Sequence, residues 1–121
     1  MFVIEDIKKE VQRLDDLHGG HVSEIPIYIS KRFTRTLGRC EGKLERGRYV
    51  PTRIGFAHRL MELATEEHFL ETVRHEYAHA YLLQLTGEKH LHDRLWKGYA
   101  LQFGCSGKTK ALFPEVDLVD V

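Results

Sequence analysis

The sequence predicts an α+β domain: an N-terminal helix, a small three-stranded antiparallel sheet, then helices. Three observations predict it. Apolar residues recur at helical spacing at the start of the chain, alternate with period two in the middle, and return to helical spacing after Leu60. In the first segment Ile4, Ile7, Val11 and Leu14 are three, four and three apart with charged residues between them, and the run stops at His18-Gly19-Gly20. Ile25-Pro26-Ile27-Tyr28-Ile29 alternates as a strand. Pro26 has no N–H to donate, so this strand starts there or lies at an edge. Phe33 to Cys40 and Tyr49 to Phe56 are the other two strands, with Gly42 to Gly47 as the turn between them. A long helix follows over about Glu67 to Leu85, a break near Gly87, and a last helix from His92 to Phe103.

At 121 residues, 42% hydrophobic and 30% charged, the chain can bury a core and is expected to form a single domain over residues 1–121. No apolar run approaches the ~20 residues of a membrane span, and Glu5 and Asp6 stand where a signal peptide would be basic. Two cysteines, Cys40 and Cys105, are too few for a disulfide framework, so free buried thiols in a reducing, cytoplasmic setting are expected. Lys+Arg and Asp+Glu both number 18, yet Lys31 to Arg53 holds eight basic residues against Glu41 and Glu45. That segment is a candidate DNA contact, because clustered cations displace counterions from phosphates; the plain alternative is a charged edge that discourages sheet aggregation.

The chemistry sits in the long helix, at His75-Glu76-Tyr77-Ala78-His79, an H-E-x-x-H. Residues four apart share a helix face, so the two imidazoles can close on one zinc ion. Glu76 projects about 100° away from His75, where it can reach a water on the metal without being a ligand. Zinc lowers the pKa of such a water to about 7, and the carboxylate can take its proton as it attacks a carbonyl. The flanking residues are mostly apolar, and a buried helix holds two histidines and a glutamate only with a compensating partner, for which a metal is the simplest choice.

A catalytic zinc takes three protein ligands. The long protease pattern with glycine three and histidine six residues further on is excluded by Leu82 and Leu85. Glu88, His90, His92 and Asp93 remain. Leu95, Trp96, Tyr99 and Phe103 form one stripe, and a helix extended back to His92 puts that residue on the stripe and His90 near the opposite side. His92 is therefore favoured, with His90 next and Glu88 after it.

These residues resemble the SprT-like zinc metalloproteases, which include the eukaryotic Spartan proteases that act on DNA-crosslinked proteins. The resemblance rests on Ile27 to Phe33, Leu37-Gly38-Arg39-Cys40, Ile54-Gly55-Phe56-Ala57, Glu71 to Tyr81, and His92-Asp93-Arg94-Leu95-Trp96. The last is similar to the family's H-G-x-x-[FW] element, with Asp93 replacing glycine. The resemblance implies a zincin-like fold and zinc bound by His75, His79 and His92. It also implies Glu76 as catalytic base, a protein or peptide substrate, and action on DNA-associated proteins. Only Cys105 follows the metal helix, so the four-cysteine zinc ribbon of many bacterial members is not expected. The reading is thus a minimal zinc endopeptidase. Its rival is a non-catalytic, zinc-stabilised DNA-binding or regulatory module, which four protein ligands would favour.

Other residues have plainer expectations. Glu71 is read either as a hydrogen-bond partner of a ligand histidine or as a solvated carboxylate. Tyr77, Tyr81, Trp96 and Tyr99 are read as core, and His18, His21, His58 and His68 as surface or capping residues. The tail from Phe113 to Val121 alternates weakly and is read as an added strand or an arm over the cleft.

Overall fold

Ile7, Val11 and Leu14, the apolar stripe of the first segment, are all buried in helix α1 (Ile4–His18). The Asp6 carboxylate accepts the Val3 N–H at 2.8 Å at its start, and Gly19, in the left-handed region at φ 69°, ends it. The computed structural model describes residues 1–106 and the backbone of two later strands. After a 3-10 turn (Val22–Glu24) come strands β1 (Ile27–Ser30), β2 (Thr36–Glu45) and β3 (Arg48–Ala57), then helices α2 (His58–Leu63), α3 (Glu66–Thr86) and α4 (Arg94–Gln102). Strands β4 (Lys110–Leu112) and β5 (Asp117–Asp120) close the order. The α+β class holds.

The sheet is mixed, in the order β1-β3-β2-β5-β4, and not purely antiparallel as expected. β2 and β3 form an antiparallel hairpin, but β1 pairs with β3 in parallel, Ile27 opposite Ile54 and Ser30 opposite Ala57. The reason is where β1 docks. Residues 31–35 carry the chain across β3 to β2, roughly two strand spacings or ~10 Å, which five residues span easily. The strand so left at the edge is the one that begins after Pro26, as the missing N–H requires.

The hairpin turn is tighter than the expected Gly42 to Gly47. Arg46 and Gly47 alone make it, both at positive φ (52° and 80°), the backbone of a two-residue turn matched to strand twist. Gly42 instead lies within β2, at a bulge opposite Pro51. β5 adds to the far side of β2 in parallel, near Thr36 and Gly38, so part of the tail is the added strand. Residues 113–116 and 121 of that tail, and whether it covers the cleft, lie outside the described residues.

α3 crosses behind the sheet with Phe69, Val73, Tyr77, Ala80 and Leu82 buried among Leu37, Ile54, Phe56 and the α1 stripe. Two polar staples fix α1 to α3. Tyr77 donates to Asp15 at 2.8 Å, and Arg74 pairs with Glu10 at 2.8 Å. Among the described residues no helix is long and apolar enough to cross a membrane.

Candidate metal centre

His75 and His79 stand one turn apart on α3 and are both buried. His92 reaches them from the turn before α4. Its Nε2 lies 2.9 Å from His75 Nε2 and 3.1 Å from His79 Nε2. A tetrahedral zinc with Zn–N near 2.0–2.1 Å separates its nitrogens by roughly 3.3 Å, so the trio already has close to the spacing of a ligand set. All three ligand atoms lie within 4.8 Å of one another, and no fourth His, Cys, Asp or Glu joins the group among the described residues.

Tautomer and charge suit a metal as well. His79 Nδ1 donates to the His90 carbonyl at 3.1 Å, which leaves the lone pair on the Nε2 that faces the cluster. Burial, reinforced by repulsion from His92, lowers the His79 pKa to about 4. Burial and the nearby Lys97 also lower that of His92. Both rings are therefore neutral near pH 7, as ligation requires. Three imidazoles whose Nε2 atoms converge fit a divalent cation such as zinc.

His92 arrives by a route that the helical stripe does not describe. α4 starts at Arg94, with Asp93 as its N-cap, and His92 precedes the helix in the left-handed region at φ 58°. Turn geometry, not helical phase, brings it in. Asp93 sets that turn: one carboxylate oxygen accepts the Trp96 N–H at 2.9 Å, and the other meets His90 Nδ1 at 2.7 Å. His90 does not join the ligand group, but its carbonyl orients His79 and its ring is tied to Asp93, so it is not remote from the site as its expected phase implied.

Glu76 is fully buried and faces β2. A Cβ placed on Gly38 would sit 2.7 Å from Glu76 Cγ and 2.9 Å from Oε2, so only glycine lets the strand lie against this carboxylate. Trp96, also fully buried, forms the floor. Its ring lies 4.6 Å from those of His75 and His92 and 5.1 Å from His79, on which it stacks. Trp96, which the sequence predicts only as core, is thus also part of the site. The available signal was Asp93 three residues before Trp96, the spacing of an N-cap.

Glu71 does neither of the things expected of it. It accepts hydrogen bonds from the Ser106 N–H at 2.6 Å and from the Ser106 hydroxyl, and so pins the chain after α4 to α3. Cys105 is buried and its thiol lies 3.5 Å from Glu71 Oε1, while Cys40 is partly buried. On the outer face of the sheet, the Arg53 guanidinium lies 4.4 Å from the Tyr28 ring centroid and 2.9 Å from Glu41, while Arg39 sits 5.1 Å from the Phe33 ring centroid.

Fold and site together define a class: α+β domains able to hold a metal on a helical H-E-x-x-H. The chain belongs to the SprT-like family, whose sequence model it matches over residues 4–115. At family level that carries a metalloprotease-type function. No curated protein and no solved structure matches the chain.

Proposed function

We propose that this protein is a zinc-dependent endopeptidase in which His75, His79 and His92 hold the metal and Glu76 is the general base. The observation that carries the reading is the convergence of three imidazole Nε2 atoms beside a buried glutamate that follows the first of them in sequence. When bound, zinc would supply Lewis acidity to the scissile carbonyl and make water a nucleophile at neutral pH. The chain's own part is positional. The His90 carbonyl holds the His79 tautomer, Trp96 supports the three rings, and Gly38 admits the Glu76 carboxylate to take a proton from the attacking water. A trio of ligands among the described residues matches catalytic rather than structural zinc, and so favours the enzyme over the non-catalytic module.

The basic outer face supports an action on DNA-associated proteins. Arg39, over the Phe33 ring, offers a cation beside an aromatic surface of the kind that holds single-stranded nucleic acid. The test is cleavage of an unfolded protein by the zinc-loaded chain, with and without single-stranded DNA. Glu76→Gln should lower the rate ~10²-fold or more while zinc content stays unchanged. DNA should raise the wild-type rate. Equal rates for wild type and variant sink the catalytic assignment, and a rate indifferent to DNA removes the DNA part alone.

A further inference from the structure

Beside His79 the structure holds a cavity of about 310 Å³ between β2 and the segment that follows α3. Its walls are Cys40 and Gly42 of β2, His79 and Leu83 of α3, and His90 and Leu91 of the following turn. Leu83 stands one turn beyond His79, so the space runs along α3 directly away from the ligand trio.

We infer that this cavity receives an aliphatic side chain, of leucine or methionine size, from the substrate residue next to the scissile bond. The inference rests on the metallopeptidase reading and names the class of substrate that the site prefers.

Chemistry and shape both point that way. Leu83 and Leu91 supply hydrocarbon from opposite walls. Leu91 is 77% exposed, an apolar side chain that folding leaves in water at the mouth of a cavity. Burial and the Glu76 and Glu41 carboxylates push the Cys40 thiol well up, so it presents a neutral S–H. The two charged members of the lining are already engaged. The Glu41 carboxylate pairs with Arg53 and Tyr28, and the Lys89 ammonium lies 4.6 Å from the Tyr49 ring centroid.

One feature of β2 keeps the space open. Gly42 has no side chain to fill the gap. A Cβ there would lie 3.5 Å from Leu83 Cδ1 and 3.1 Å from the Val50 carbonyl oxygen.

The test uses the zinc-loaded full chain and a series of succinyl hydroxamates that differ only in one side chain, methyl, isobutyl, carboxyethyl or aminobutyl. Acetohydroxamate, which has no such side chain, serves as reference, and Kd is read by calorimetry. Hydrocarbon transfer is worth roughly fourfold in affinity per methylene, so isobutyl should bind at least ~10-fold tighter than methyl. The carboxyethyl and aminobutyl compounds should gain nothing over methyl. Leu83→Phe, which fills the cavity, should reduce the isobutyl advantage to under ~3-fold and leave acetohydroxamate binding unchanged. Leu91→Ala, at an exposed position where folding is not at stake, should reduce it in part. Equal affinity for methyl and isobutyl, or tightest binding by a charged compound, overturns the aliphatic pocket while leaving the metal site standing. Failure of acetohydroxamate to bind, or of the chain to take up zinc, overturns the metallopeptidase reading and the pocket with it.

Discussion

At Asp93 a single carboxylate holds both ends of the turn that presents His92. One oxygen caps α4 through Trp96, and the other fixes His90, whose carbonyl in turn orients His79. The residue that replaces the glycine of the family element thus does work that a glycine could not. Substitutions separate the two duties. Asp93→Ser keeps an oxygen for the Trp96 N–H but cannot also reach His90. It should leave the metal-free thermal midpoint near wild type while weakening zinc by up to ~10-fold, because the group lost holds the residue whose carbonyl orients His79. Asp93→Ala should show the same zinc loss together with about 1 kcal/mol of lost stability from the cap. Chelator competition gives the zinc affinity, and melting in chelator gives the stability. If Asp93→Ser binds zinc as well as wild type does, the link through His90 plays no part in shaping the site.

At the scale of elements, the meeting of β2 with α3 decides where Glu76, the proposed base, can stand. Gly38→Ala drives a Cβ to within 2.7 Å of Glu76 Cγ, an atom near the root of the side chain that cannot swing away freely. The catalytic rate should fall ~10-fold or more and stability by roughly 1–3 kcal/mol, the usual cost of overpacking, with zinc affinity retained because no ligand moves. Loss of zinc instead would mean that β2 also shapes the histidine trio. This contact was not legible in the sequence. Period-two alternation identifies a strand but not its neighbour, so β1 was recognised as a strand while its parallel pairing with β3 was not. Composition predicts a wider hairpin turn than the chain makes, because the first turn residue, Arg46, is a non-glycine at positive φ that composition does not announce. α1 and α3 were legible nearly to their ends, since periodicity and terminal glycines at 19 and 87 are local signals. His92 was favoured as third ligand through a helical phase that it does not possess. Its place comes from a left-handed turn held by Asp93, a contact between side chain and backbone that spacing cannot show.

Across the whole molecule, the histidines of the candidate metal centre and the α1 staples give stability two separate dependences on acid. The buried histidines come first. In the folded chain His79 has its pKa lowered to about 4 by burial and His92 is lowered as well, so between about pH 6.5 and pH 4 the unfolded chain binds more protons. Their contribution is complete above the unfolded pKa and is lost as pH falls toward the folded value. Bound zinc would enlarge it in the same direction, because protons and metal compete for the same nitrogens. The carboxylates act lower. Burial alone would raise Asp15, but hydrogen bonds from Ser23, Tyr77 and Val22 outweigh it; at Glu10, bonds from Arg13 and Arg74 likewise outweigh burial. Both end below their ordinary values, so the link from α1 to α3 persists at pH 5 and weakens only below about pH 4. Melting curves from pH 8 to pH 3, with excess zinc and with chelator, separate the two. The zinc-dependent rise in midpoint should be largest above pH 6.5 and gone by about pH 4, and the second decline should follow whether or not zinc is present. Tyr77→Phe removes one donor to Asp15 and should move the lower limb toward higher pH without touching the zinc-dependent rise. A midpoint that does not respond to zinc at pH 7.5 would show that the three histidines do not hold the metal in the folded chain, whatever their spacing.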